Sequence, residues 1–326
     1  MVLVTGADGM LGSHIVEILL QQQYRVRALV LPGSPATTLQ GLPVELMYGD
    51  IRNPGLCASA IQDCNMVIHT AASTSTWPTR SAMLHAINFT GVKNMVEAAT
   101  NAGVQRFIHI SSGSSIGPDA AGQPATEETP FRGFRYGLDY VDSKYYAHQY
   151  VLEMARTQGF PAIVVCPTFM IGPKDVNLGS GQMIVAISKQ KLRFISGGGK
   201  NFVYVRDVAQ AAVNALQQGA IGEAYIAGHS NLSYQQFFAL VSEVAGVPPP
   251  RMLLPNWIIL TAGYVITQLA ILFRFRPLLN YSQALVSLDN QFYSPAKAVR
   301  ELHMPQTDLK IAVKAAFEWL KREQFC

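Results

Sequence analysis

The stretch VLVTGADGMLGSHIVEILL, Val2 to Leu20, leaves the fold little freedom. A short apolar run ends at Thr5, glycines stand at 6, 9 and 12, and apolar residues then recur at helical spacing. A strand that turns this sharply into a helix needs glycine for its dihedral freedom and for close helix–strand packing. The same glycines let backbone approach a phosphate, and the helix start offers unpaired N–H groups and a positive dipole end. A glycine triplet alone is weak evidence. Set between a strand and a helix, it predicts a dinucleotide-binding turn. Gly6, Gly9 and Gly12 are the candidate contacts, together with Asp8, Met10 and Leu11 beside them.

Downstream, β-branched runs alternate with amphipathic ones. Strands are predicted at VLVT, RVRALV, VELM, MVIHT, RFIHIS and AIVVCP. Helices are predicted from about Leu11 to Gln22, through GLCASAIQ, from Ala82 to Ala102, and around Tyr140. Strands separated by helices of this length imply right-handed crossovers and a parallel sheet covered on both faces. The predicted class is α/β, a Rossmann-type doubly wound parallel sheet.

Beyond Pro167 the alternation breaks at IGPKDVNLGSG, and Gly197–Gly199 read as a tight turn before NFVYV. A helix near Asp207–Gln218 and a strand at EAYIAG look like a return to the sheet. Ser233–Gln236 has the form of a capping box, and the rest reads as helical, ending in Thr307–Arg322. The expected division is a dinucleotide-binding domain over 1–165, rejoined by 201–228, and a smaller, mostly helical substrate-binding lobe from 166–200 and 229–326.

Composition excludes several classes. The chain has 326 residues, 49% hydrophobic and 14% charged, which argues against disorder. Its net charge of +4 is spread without a basic block, so no nucleic-acid partner is expected. The four cysteines lack metal-ligand spacing and a disulfide framework, which predicts no metal and reduced thiols in the cytoplasm. MVLVTG has no signal-peptide pattern. The uncharged run WIILTAGYVITQLAILF, Trp257 to Phe273, is at the short limit for a membrane span and contains Thr261, Tyr264, Thr267 and Gln268. It is expected to be a helix closing an apolar substrate pocket, with a membrane-surface role as the alternative.

In LDYVDSKYYAHQYV, Tyr140 and Lys144 stand one helical turn apart with Ser143 between them. Positions i and i+4 share a helix face, so a phenol and an ammonium can point the same way. The plain alternative is a packed tyrosine and a solvated lysine. The order of the other motifs favours the first reading.

Taken together, these motifs resemble the extended branch of the short-chain dehydrogenase/reductase superfamily, in the flavour of the dihydroflavonol 4-reductase and 3β-hydroxysteroid dehydrogenase group. The resemblance runs in order from Met1 to Gly228. GDIRNP resembles the element whose Asp50 and Ile51 contact adenine, and HTAAS the segment whose Ala71 and Ala72 line the cofactor. INFTGVKNMVEAA resembles the helix supporting the site through Asn88, and CPTFMIGP the element placing Pro167 and Thr168 at the cofactor. HISSGSSIG resembles the catalytic-serine loop, and counting five residues back from Gly117 selects Ser112 over Ser111, Ser114 and Ser115. YVDSK resembles the Tyr-x-x-x-Lys motif. The resemblance implies Tyr140 as proton donor and acceptor, Lys144 lowering its pKa and holding the nicotinamide ribose, Ser112 bonding the substrate oxygen, and NAD or NADP as cofactor.

The chain departs from that pattern at several places. Val30 and Leu31 stand where an acid or an arginine would read the ribose 2′ position, with Arg25 and Arg27 nearby and expected on the exposed face of the strand. Cys166 replaces an arginine before Pro167, and Arg206 stands where an acid is common. Phe169 and Ile171 imply a greasy substrate wall. The function implied is interconversion of a carbonyl and an alcohol on a small or apolar molecule, with a homodimer as the expected assembly. Two alternatives use the same fold, a nucleotide-sugar epimerase with bound NAD and a non-catalytic NADP sensor.

Overall fold

A computed structural model describes residues 1–118 and 123–326. The first strands are β1 (Val2–Thr5), β2 (Val26–Val30), β3 (Glu45–Tyr48), β4 (Met66–His69), β5 (Arg106–Ile110) and β6 (Ala162–Pro167). Then come β7 (Phe169–Ile171), β8 (Phe194–Ile195), β9 (Gly199–Tyr204), β10 (Ala224–Ala227), β11 (Ser230–Ser233), β12 (Met252–Leu253) and β13 (Asn290–Gln291). The helices are α1 (Met10–Gln21), α2 (Pro54–Ile61), α3 (Ala82–His85), α4 (Gly91–Asn101), α5 (Asp139–Gln158) and α6 (Gly181–Ser188). They continue with α7 (Val205–Asn214), α8 (Tyr234–Ala245), α9 (Asn256–Phe273), α10 (Tyr281–Leu288), α11 (Ala296–Glu301) and α12 (Leu309–Arg322).

Seven strands form one parallel sheet in the order β10-β6-β5-β4-β1-β2-β3. Side chains on a strand alternate between faces, and this divides the core in two. Val2 and Val4 join Ile15, Val16 and Leu19 of α1 and Val208 and Ala212 of α7 on one face. Leu3 joins Cys57 of α2, Met95 and Val96 of α4, and Ala147 and Val151 of α5 on the other. Burying a side chain of this kind stabilises by about 1.5–3 kcal/mol, which is why the strands carry nearly continuous apolar runs. The strand order reverses around β1, which has β4 on one side and β2 on the other. A crevice opens at such a reversal, outside the carboxyl ends of the strands.

The helix expected over Ala82–Ala102 forms, but a π turn at Ala86–Thr90 separates α3 from α4. After β6 the chain builds a second assembly. There β9 is flanked by antiparallel β11 and by parallel β7 and β13. Phe202 of β9 stacks on Phe237 of α8 at 3.9 Å, within a core shared by Ile184 of α6 and Trp319 and Leu320 of α12. The region is mostly helical, as expected, and this small sheet is added to it. Its strands run only two to six residues and include polar stretches such as SNLS and NQ, so they give no alternating signal. The capping box at Ser233 opens α8 as expected. Gly198 and Gly199 serve close approach: an added Cβ would lie 2.5 Å from the Asp289 carbonyl and 2.6 Å from that of Leu232. The α7 helix packs beside α1 and β10 joins the large sheet, whereas β9 stays in the small one.

The reading of Trp257–Phe273 as a pocket-closing helix is corrected. The helix forms as α9, but only Ile259, Gly263 and Ala270 are buried, and Trp257 is 69% exposed. One side rests on α10, where an added Cβ on Gly263 would lie 2.8 Å from the Ala284 Cβ. Tyr264, Val265 and Leu269 on the helix remain exposed.

Candidate active site

The glycine turn lies at the reversal point of the sheet. Gly6 has φ +61, and an added Cβ would sit 2.8 Å from the Ala71 Cα, the first link between the ends of β1 and β4. An added Cβ on Gly12 would meet the Gly6 carbonyl at 2.2 Å, so α1 can start here only with glycine. Gly9 caps α1 without a side-chain acceptor, and no acid lies in the first turn. The N–H groups of Met10, Leu11 and Gly12 are therefore left for an external anion. A cradle any side chain would fill, beside an uncapped helix start, fits a dinucleotide pyrophosphate. Thr5 Oγ1 lies 2.8 Å from His69 Nδ1 and accepts from Ala71 N at 3.2 Å, while Thr70 Oγ1 donates to the Thr5 carbonyl at 2.6 Å. These bonds hold the ends of β1 and β4 together beneath that cradle.

Two strands away, β5 runs into Ser112, and α5 brings Tyr140 to it. The Tyr140 hydroxyl donates to Ser112 Oγ at 3.4 Å. Ser112 Oγ also accepts from Ser114 N at 3.2 Å and from Ser114 Oγ at 2.8 Å. Lys144 is buried and its ammonium donates to the Ile110 carbonyl at 2.7 Å. Burial pulls its pKa down to about 8. Burial pushes the phenol upward, the bonds to Ser112 and Ser114 offset this only in part, and the lysine is bound to backbone. Asn88, in the π turn, accepts from Ser73 N at 2.8 Å and donates to the Ser73 carbonyl at 2.9 Å and to Ser143 Oγ at 3.2 Å. One buried amide thus ties the loop after β4 to α5.

Residues 2–228 match the NAD dependent epimerase/dehydratase family. The chain belongs to that family. A Synechocystis protein provisionally named a dihydroflavonol 4-reductase is 33% identical over 99% of this chain and 95% of its own. Sterol demethylase protein B of Methylococcus capsulatus is 29% identical over 98% of both chains. The crystal structure of gox2253 superposes with a TM-score of 0.88 at 33% identity, covering 99% of this chain and 98% of that one. Membership of the NAD-dependent epimerase/dehydratase family makes the protein an enzyme that uses NAD or NADP on a small molecule, and it matches the extended short-chain dehydrogenase/reductase resemblance.

Within this family framework the other residues singled out by sequence fall into three groups. Ala71 and Ala72 follow β4 beside the glycine turn, with Ala72 exposed. Pro167 ends β6, and Thr168 Oγ1 donates to Asn201 Oδ1 at 2.7 Å. These four are positioned at the carboxyl ends of their strands. Asp8, Asp50 and Ile51 have other work in the fold. The Asp8 carboxylate accepts from Ser34 Oγ and its carbonyl from Thr38 Oγ1 at 2.9 Å, fixing the loop after β2. Asp50 is held by Arg52 at 2.9 and 3.0 Å, which lowers its pKa, and the buried Ile51 side chain packs where Gly91 leaves room.

The third group is mixed. Arg27 is not on an exposed face. It is buried, donating to Glu45 at 2.8 Å and to the Ala60 carbonyl at 2.9 Å. Ile171 is fully buried in the second core, so it is packing rather than wall, while Phe169 is half-buried with the Lys200 ammonium 5.0 Å over its ring. Val30 is buried, and Leu31 is exposed at the end of β2.

Several site-forming residues escape a reading of the sequence. Leu285 and Val286 of α10 pack on the Tyr136, Leu138 and Val141 cluster, on which Tyr140 also packs. Tyr293 lies 3.3 Å from where a Cβ on Gly113 would be, and its hydroxyl begins a chain to Gln291 at 3.1 Å, then Tyr136 at 2.8 Å, then Asp289 at 2.5 Å. Leu285, Val286, Asp289, Gln291 and Tyr293 lie more than a hundred positions from the serine loop and carry no motif. His69 and His109, paired in register on β4 and β5, stack at 5.8 Å. The one available signal was a histidine in the same place of two adjacent predicted strands.

Proposed function

We propose that this protein is an NAD(P)-dependent oxidoreductase that interconverts a carbonyl and an alcohol on a small apolar substrate. The observation carrying this reading is the Tyr140 hydroxyl aimed at Ser112 Oγ, 3.4 Å away, with Lys144 buried one helical turn on. A bound nicotinamide supplies the hydride for reduction and accepts it for oxidation. Tyr140, kept protonated by its buried setting, gives its proton to the carbonyl oxygen as negative charge grows there. Ser112 turns its hydroxyl to the same oxygen and stabilises that charge. The Lys144 cation, retained at neutral pH, favours the phenolate that remains. Pyrophosphate would be held by the first-turn N–H groups of α1. In this reading the seven-stranded sheet with α7 holds the cofactor, and the assembly around β9, with α10, holds the substrate. The enzyme works as a homodimer in the reducing cytoplasm, where its three buried cysteines stay as thiols.

Apolar substrate is favoured over a nucleotide sugar by what surrounds the phenol. Tyr140, Leu285 and Val286 all pack on the apolar cluster of Tyr136, Leu138 and Val141, a setting suited to many small apolar contacts. The relative named as a sterol demethylase protein supports the same choice. The experiment is a turnover assay with NADH and NADPH on apolar ketones, aldehydes and alcohols, with nucleotide sugars in parallel. Turnover of apolar carbonyls, abolished in Tyr140→Phe, is expected. Activity confined to nucleotide sugars would make it an epimerase, and cofactor binding with no turnover would make it a sensor.

A further inference from the structure

We propose that α9 lies flat on the surface of an anionic lipid bilayer, held by its exposed apolar face and a rim of cations. The apolar face is large for an uncovered surface. Trp257 is 69% exposed, Leu272 71%, Phe273 69% and Leu278 100%. Met252 and Leu253 extend it at the entry to the helix, and Phe194 joins them because β12 pairs with β8 at Phe194↔Met252.

Charge selects the partner. Between Glu243 and Asp289 the sequence has no acid, yet it carries Arg251, Arg274 and Arg276. Lys189, Lys191 and Arg193 lead into β8 and so stand beside Arg251. All six are exposed, and among the described residues none forms an ion pair. The acids that bound the stretch are engaged elsewhere, Glu243 by Lys310 and Asp289 by Arg135. An apolar face ringed by cations is repelled by a second copy of the same cations and attracted by acidic headgroups. Trp257 and Tyr264, apolar rings with a polar atom, are residue types suited to the headgroup level.

The geometry requires docking in the plane. An 18-residue helix is about 27 Å long, close to the hydrocarbon thickness. Both its ends, however, return to the same lobe. Leu254 N donates to the Ile195 carbonyl at 3.0 Å before it, and Tyr281 N donates to Thr267 Oγ1 at 2.8 Å after it. Asn280 then donates to the Thr76 carbonyl at 3.1 Å, fixing the turn to the loop near the site. A crossing would drag folded protein through the bilayer. Since α9 packs on α10, and α10 packs on the apolar cluster that also receives Tyr140, docking also brings the substrate side next to lipid, where apolar molecules concentrate. That last link rests on the proposed function; the docking does not.

The test is co-flotation of the full chain with phosphatidylglycerol–phosphatidylcholine vesicles and with pure phosphatidylcholine vesicles. Binding to the anionic vesicles is expected, at least ~10-fold tighter than to neutral ones and weakened by salt. Leu272→Ser with Phe273→Ser should weaken it at least ~10-fold, and Arg274→Gln with Arg276→Gln should remove the preference for anionic lipid. All these side chains are exposed, so NADPH binding followed by fluorescence should be unchanged and reports folding. Flotation with neither vesicle, or equal binding by wild type and the apolar double variant, overturns the proposal. So does light scattering that shows a wild-type dimer reduced to monomer by Leu272→Ser with Phe273→Ser, since a second copy would then be the occupant. Turnover of apolar carbonyls by a protein that ignores vesicles would sink the docking and leave the enzymatic reading standing.

Discussion

Two effects pull the Tyr140 phenol in opposite directions. Desolvation favours the neutral form, and a cation one turn away favours the phenolate. The geometry favours the first effect, because Lys144 is bound to the Ile110 carbonyl while partial burial pushes the phenol up. The phenol is then an acid waiting for charge to develop beside it. Tyr140→Phe should lower turnover at least ~10²-fold with cofactor affinity nearly unchanged, measured by steady-state kinetics and fluorescence titration. Near wild-type turnover would remove Tyr140 from the chemistry. Cofactor choice is also a residue-scale question. Leu31 is exposed where an acid or an arginine would read the ribose, and Arg27 is committed to Glu45. Discrimination between NADH and NADPH should stay within about a hundredfold, under ~3 kcal/mol. A larger ratio in titrations of both would mean that another side chain reads the 2′ position.

Elements carry these residues to one place. Alternation between strand and helix was legible because a doubly covered parallel sheet writes itself as apolar runs, and each of the first six strands forms where such a run stands. The π turn at Ala86–Thr90 was not legible, since no residue type encodes an i→i+5 bond; it places Asn88 where it reaches both Ser73 and Ser143. Contact of α9 with α10 depends on Gly263, which had no signature beyond being a glycine in a helix. Gly263→Val should force the two helices apart, costing about 1–3 kcal/mol in urea unfolding. Because α10 packs on the Tyr136, Leu138 and Val141 cluster that also receives Tyr140, KM for an apolar substrate should rise several-fold while cofactor affinity holds. An unchanged KM would show that α10 does not shape the substrate side.

At the scale of the whole molecule, three histidines lie in the body of the fold. His69 and His109 stack between β4 and β5, and His148 of α5 has its Nδ1 2.9 Å from Ser115 Oγ. Burial is the main cause holding all three neutral, with His69 at about 3, His148 at about 4 and His109 well below its ordinary value. The positive Lys144 adds to the effect on each. The unfolded chain takes up protons on these rings below about pH 6.5 while the folded chain does not. Stability is therefore full above pH 6.5 and falls as pH drops toward 4, by about 1.4 kcal/mol per unit for each histidine. Urea midpoints measured across that range should show the fall, and His148→Gln should reduce its slope. A slope unchanged by that substitution would place the acid sensitivity elsewhere.

By itself the sequence determined the parallel sheet, the glycine turn, the capping box at Ser233 and the Tyr140–Lys144 spacing. Each is a local rule, in which side-chain period, dihedral freedom or helical pitch acts over a few residues. Tertiary structure decided which of those residues meet. It brought Ser112 to Tyr140, and set Tyr293 and Gln291 near a serine loop whose motifs end far earlier in the chain. It also reversed the expectation for Trp257–Phe273. Hydrophobicity specifies that a helix such as α9 gains by leaving water, but only the packing of the rest of the chain decides whether protein is there to receive it.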